Sequence, residues 1–240
     1  PQASWSLKMQ EGEGYLFFYD EWGVGRKLAK DQGLHFFIFH QPPSEVETSD
    51  LPRFPWPDPR ALDFTDAVQR LREAGPTYRA SGFWAPFYHD IMDLFGMEEY
   101  FVKMHTNPAV VRAVTDRVCG FYYDGNERFF DAAGDLVDGY FFGNDFGPQR
   151  DLILSPELFD RFILPWFRRF TEQGHRHGYQ VILHSCGSIH DYLDSWIDAG
   201  IDILNPVQSS AAKMEPERLM RDFKVGPLNA VLADLLGQVR

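Results

Sequence analysis

The sequence predicts an α/β fold, a parallel sheet with crossover helices arranged as in a barrel, on three observations. Apolar runs alternate with helical periodicities from Tyr78 to Pro206, the pattern that lays strands side by side beneath helices. Val181-Ile182-Leu183 has no polar member, as in a strand buried on both faces. Four successive strand ends carry polar or amphipathic groups: Phe83-Trp84, Asn144-Asp145, His184-Ser185-Cys186 and Asn205-Pro206-Val207-Gln208. Such a series at carboxyl ends of strands reads as the rim of a barrel mouth, where α/β barrels keep their sites. The 240 residues suit a single domain of this class with a sizeable core.

In chain order, Pro1 to Gly14 shows no clear element, and the chain does not begin with Met. Tyr15 to Tyr19 is a short aromatic strand closing on Asp20-Glu21-Trp22-Gly23, which makes Asp20 either a site carboxylate or a turn residue. Leu34 to His40 is a second strand. Six prolines between Gln41 and Pro59 exclude regular helix or central strand and predict a long surface loop. Asp58-Pro59 starts a helix with Phe64, Val68 and Leu71 on its buried face, stopped by Gly75-Pro76. Tyr78 to Trp84 is strand-like and leads through Pro86 into a helix from Phe87 to Phe95. Further helices start near Glu98 and at Asn107-Pro108, the second holding Cys119 in its packed face. Asp138 to Gly143 is a strand. Ser155-Pro156-Glu157 opens a helix that Pro165 must break, and His175 and His177 suit its carboxyl end by dipole alone. After His184-Ser185-Cys186, Gly187 allows a turn and Ser188 can cap a helix carrying Ile189, Leu193, Trp196 and Ile197. Gly200 ends it, and Ile201 to Pro206 is the next strand.

Composition narrows the class. A net charge of −12 disfavours nucleic acid and anionic membranes as partners. No apolar run reaches the roughly 18 residues a span requires, and no secretory signal opens the chain. Two cysteines far apart, Cys119 and Cys186, argue for a reducing compartment, the cytoplasm, over a disulfide framework. Aromatics at 16% fit either an aromatic core or a flat-walled pocket.

The sharpest chemical signal is His184-x-Cys186. Alternation along a strand points both side chains one way if the pleat continues, and imidazole and thiolate are common zinc ligands. A zinc site needs at least three protein ligands, so a packed cysteine beside a hydrogen-bonded histidine is the structural alternative.

Taken together, Gly143-Asn144-Asp145-Phe146-Gly147-Pro148-Gln149, Ser155-Pro156-Glu157-Leu158, Pro165, His184-Ser185-Cys186-Gly187-Ser188 and Gly200-Ile201-Asp202-Ile203-Leu204-Asn205-Pro206-Val207-Gln208 resemble the uroporphyrinogen decarboxylase superfamily. More narrowly they resemble its zinc-dependent, corrinoid-linked methyltransferase branch. The resemblance covers roughly Asp20 to Phe223. It implies a (β/α)8 TIM-type barrel, incomplete at the amino terminus and near Lys224, with His184 and Cys186 as metal ligands. The branch's second, later cysteine has no counterpart, since none follows Cys186. The decarboxylases' arginine-bearing loop is missing, while Asp20 matches their essential aspartate and Tyr88 their site tyrosine. Val225-Gly226-Pro227-Leu228-Asn229 leads into a helix like the family's last.

Three functions follow as expectations. In the first, zinc on His184 and Cys186 activates a thiol for methyl transfer from or to a corrinoid or methylated small molecule, a corrinoid protein being the partner. Asp145 is then a metal ligand or proton acceptor, and Gln149 and Gln208 orient substrate, with Trp22, Trp84 and Tyr88 as further substrate contacts. In the second, Asp20 stabilises charge on a porphyrinogen during cofactor-independent decarboxylation, with Arg26, Arg79 or Arg150 standing in for the missing loop. In the third, the barrel binds a ligand without catalysis.

Overall fold

The computed structural model describes residues 2–3, 10–12, 14–29, 36–42 and 47–223. Its elements in order are β1 (Gln2–Ala3), β2 (Gln10–Gly12), β3 (Tyr15–Tyr19), β4 (Gly25–Ala29), β5 (Phe36–His40), β6 (Leu62–Asp63), α1 (Thr65–Glu73), β7 (Ala80–Ser81), α2 (Phe87–Phe95), α3 (Met97–Thr106), α4 (Pro108–Ala133), β8 (Gly139–Gly143), α5 (Pro156–Phe162), α6 (Leu164–Arg176), β9 (Gln180–His184), α7 (Leu193–Asp198), β10 (Ile203–Asn205) and α8 (Pro216–Asp222). No helix among the described residues is long and apolar enough to cross a membrane. The residues divide into two compact units, Pro1–Asp66 with Phe87–Gly125, and Ala67–Pro86 with Asn126–Arg240.

The second unit carries the parallel sheet, in the order β7-β8-β9-β10. Each strand lies beside its successor in the chain, the arrangement the alternating pattern predicted. Tyr140, Phe142, Val181 and Leu183 are fully buried, as apolar runs in a sheet covered by helices must be. Ser155 caps α5 by accepting the Leu158 N–H at 3.3 Å. Pro165, which has no N–H to donate, sits in the first turn of α6, so the chain breaks at Ile163 and restarts there. The aromatic content is largely core: Phe146 lies 5.3 Å from Phe159 and 5.7 Å from Trp196, centroid to centroid, and Phe142 lies 5.4 Å from Phe167. His175 and His177 do more than face a dipole. His175 lies 2.7 Å from Asp202, and His177 lies 3.2 Å from Glu127.

The first unit holds an antiparallel sheet, β2-β3-β4-β5, and here several expectations are corrected. The first fourteen residues, read as having no element, contribute β1 and β2. Strand β4 went unread because Arg26 and Lys27 hide its pattern. Both lay long side chains along the sheet, Arg26 toward Asp20 and Asp93 and Lys27 with its Nζ 5.1 Å from the centre of the Tyr15 ring. Asp58-Pro59 opens only a single 3-10 turn. Leu62–Asp63 then pairs with β1, and α1 starts at Thr65, whose N–H and Oγ1 both donate to Asp63. The stronger local cap displaced the helix start by six residues. In the second unit, Ser188 caps no helix. It is buried, its N–H donates to the Pro148 carbonyl, and a 3-10 turn precedes α7. The segment from Lys224 onward, including Val225 to Asn229, and the start of the strand expected from Leu34 lie outside the described residues.

Candidate metal centre

Parallel register sets the centre. Gly143 on β8, His184 on β9 and Asn205 on β10 are direct neighbours. Neighbours in register present side chains to the same face. Gly143 puts no side chain beside the imidazole, and Trp84 fills the gap. A Cβ on Gly143 would meet Trp84 Cζ2 at 2.6 Å, and the Trp84 ring lies 5.0 Å from the His184 ring. Asn205 Oδ1 lies 3.2 Å from His184 Nδ1. In the Nδ1–H tautomer this contact is a hydrogen bond to the amide oxygen, and Nε2 offers its lone pair.

That lone pair faces two further donors. Cys186 Sγ lies 3.5 Å from His184 Nε2, and Asp145 Oδ1 lies 3.6 Å from it. All three ligand atoms fall within 4.8 Å of one another. The strand ends at His184, yet the thiol still turns toward the imidazole, because the Cys186 N–H donates to Asp145 Oδ1 at 2.8 Å. Asp145 thus stands as a third donor, through oxygen, beside the His184 and Cys186 pair. Burial first, then the Asp145 charge, raises the Cys186 thiol above its ordinary pKa.

Cys186, His184 and Asn205 also line up as a thiol, imidazole and amide, the order of a nucleophilic triad. Two features oppose that use. The neighbouring carboxylate disfavours the thiolate, and the Cys186 and Gly187 N–H groups are engaged by Asp145 and Gln208, so they do not point at a developing oxyanion. A nitrogen lone pair, a carboxylate and a sulfur converging on one point instead suit a divalent cation. It would bind all three and reverse the penalty on the thiolate.

Backbone closes the site. A Cβ on Gly187 (φ +87°) would overlap the Gly147 carbonyl oxygen, so the loops after β8 and β9 cross where neither has a side chain. The Phe146 N–H donates to Ser185 Oγ at 3.2 Å, and the Asn144 side-chain amide donates to the Ala85 carbonyl at 3.1 Å.

The other predicted residues divide. Gln208 Oε1 accepts the Gly187 N–H at 2.8 Å, and Gln208 Nε2 donates to Gln149 Oε1 at 3.0 Å, so both amides belong to the centre's framework. Trp22 and Tyr88, expected as substrate contacts, are buried in the first unit. Trp22 packs on Phe121 and Tyr122, and Tyr88 packs on Tyr100. Asp20 also lies in the first unit. One carboxylate oxygen accepts the Trp22 and Val24 N–H groups at 3.0 and 2.9 Å, and the other takes Arg26 Nε at 2.7 Å. Arg79 is bound to Asp138 in the second unit, and Arg150 is exposed. Asn205 was missed as a site residue. Its signal was a polar side chain at the end of an apolar strand, but the imidazole it orients is 21 residues away. A second group, Glu127, Asp131 and His177, is also close enough to share an ion, but Arg176 already donates to Glu127 at 3.1 Å.

A parallel sheet with nitrogen, oxygen and sulfur donors close together at its carboxyl rim defines an α/β protein with a candidate metal site. The chain belongs to the uroporphyrinogen decarboxylase (URO-D) family, whose model matches residues 23–221. No curated protein sequence matches it. Among solved structures, a methyltransferase from Methanosarcina mazei has a similar fold, with a TM-score of 0.53 at 15% identity over 77% of this chain and 52% of that one. This chain therefore spans about half the length of that structure.

Proposed function

We propose that the chain is a zinc-dependent methyltransferase of the URO-D family, moving a methyl group between a methylated small molecule or corrinoid and a thiol or corrinoid acceptor. The observation that carries this reading is the convergence of Asp145, His184 and Cys186 within 4.8 Å. These three residues would hold the ion. Zinc bound there would supply a thiolate at neutral pH by lowering the pKa of a coordinated thiol. Asn205 keeps the His184 lone pair aimed inward, since a ligating imidazole needs its other nitrogen fixed. Trp84 and Phe141, 5.1 Å apart, give an apolar wall on which a methyl-bearing substrate can displace water. The four parallel strands form an arc of a (β/α)8 barrel within one domain. A corrinoid protein is the partner, and the cytoplasm is the compartment.

Decarboxylation of a porphyrinogen has less support. It requires the Asp20 carboxylate to receive pyrrole N–H groups, and both its oxygens already accept bonds from Trp22, Val24 and Arg26.

Metal analysis after exhaustive dialysis tests the reading. Wild type should retain about one zinc per chain, and His184→Ala and Cys186→Ser should each lose it. Metal-free wild type, or full zinc in either variant, overturns it.

A further inference from the structure

Three loops build the centre: the one after β8 carries Asp145, the one after β9 carries Cys186, and the one after β10 carries Gln208. Strand pairing fixes His184 and Asn205 but stops short of Cys186. The turn that carries the thiol is therefore held by loop contacts. On one side the Cys186 N–H bonds Asp145 and the Ser188 N–H bonds the Pro148 carbonyl at 2.8 Å. On the other side the Gly187 N–H bonds Gln208 Oε1 at 2.8 Å. Gln208 in turn donates to Gln149 in the loop after β8, whose carbonyl accepts the Ala212 N–H at 2.9 Å. Gln208 is thus a side chain of the third loop that bonds both of the others. The left-handed Gly187 presents its N–H to that acceptor, and the Gly147 carbonyl lies against its other side.

We infer that Gln208 is a positioning residue for the metal centre, not a substrate contact: its amide oxygen locks the Cys186–Gly187 turn so that Sγ meets His184 Nε2 and Asp145. The inference rests on the zinc reading above but concerns how the site is held. Outer-shell groups of this kind typically change metal affinity by about 10- to 100-fold.

The test compares wild type, Gln208→Met and Gln208→Glu in the full chain. Cobalt(II) titration is followed by the sulfur-to-cobalt absorption band, and Cys186 thiol reactivity is measured on metal-free protein with an aromatic disulfide reagent. Cys119, fully buried, is replaced by Ala throughout. Gln208→Met keeps side-chain length but loses the acceptor, and should weaken cobalt about tenfold or more. It should also speed thiol reaction while leaving the metal-free melting temperature close to wild type. Gln208→Glu restores an acceptor for the Gly187 N–H and should return both readouts toward wild type. Equal affinity and equal thiol rates in wild type and Gln208→Met overturn the inference, as does a loss that Gln208→Glu shares in full. If wild type takes up no cobalt, the zinc reading falls, and the thiol rates alone decide whether Gln208 holds the turn.

Discussion

Each unit holds a carboxylate in a loop, Asp20 in the first and Asp145 in the second, but its surroundings differ. In the first unit, Asp20 and Asp93 converge on Arg26, at 2.7 and 2.8 Å. The protein supplies its own cation there. In the second unit, the neighbours of Asp145 are a backbone N–H, an imidazole and a thiol. None of these brings a fixed positive charge. A carboxylate among lone pairs invites an external cation, whereas a carboxylate on a guanidinium is already balanced. The difference separates Asp20, whose two oxygens already take Trp22, Val24 and Arg26, from Asp145.

The largest expected effect lies where the second cluster is built. Gly187→Ala places a methyl group on a backbone carbonyl oxygen at positive φ, and should cost at least about 3 kcal/mol and abolish zinc retention. A urea melt within about 1 kcal/mol of wild type would show that the loop crossing yields easily. Next, Arg26→Met strands Asp20 and Asp93 and should cost about 1–3 kcal/mol, reduced by screening because the group is partly exposed. Zinc content should stay at the wild-type level, and a loss of zinc would erase the contrast between the clusters.

A third prediction concerns pH. Burial pushes Asp90 up to about 8, Glu21 and Asp20 push the same way, and the bond from the Tyr122 hydroxyl at 2.6 Å and the Arg26 charge oppose them. Native Asp90 then keeps its proton where the unfolded chain has lost it. The native state binds more protons, so this group's contribution falls as pH rises from the ordinary carboxylate value to about 8, and levels off above. Melting temperatures from pH 5 to 9 should fall more steeply for wild type than for Asp90→Asn, and parallel curves would refute the assignment.

Sequence reading recovered what local chemistry governs. The Ser155-Pro156 cap, the break at Pro165, the helix Phe87–Phe95 and the buried strand ending at His184 each follow from propensity, missing donors or periodicity within a few residues. It faltered where two local signals competed, as at Asp58 against Asp63, and where charged side chains covered a strand, as at Arg26 and Lys27.

His184 and Cys186 were visible as a pair because only one residue separates them. Their neighbour Asp145 and the Asn205 beside the imidazole were visible only as polar ends of separate strands. Which of those ends meet is decided by the register of β8, β9 and β10 and by the glycine crossing of two loops. Those are long-range pairings between backbone groups, whose N–H and C=O are the same in every residue, so side-chain identity carries little record of them. The sequence by itself therefore determined most of the elements and the His184–Cys186 pair, and the tertiary structure decided which carboxylate lies beside that pair and which is held by an arginine.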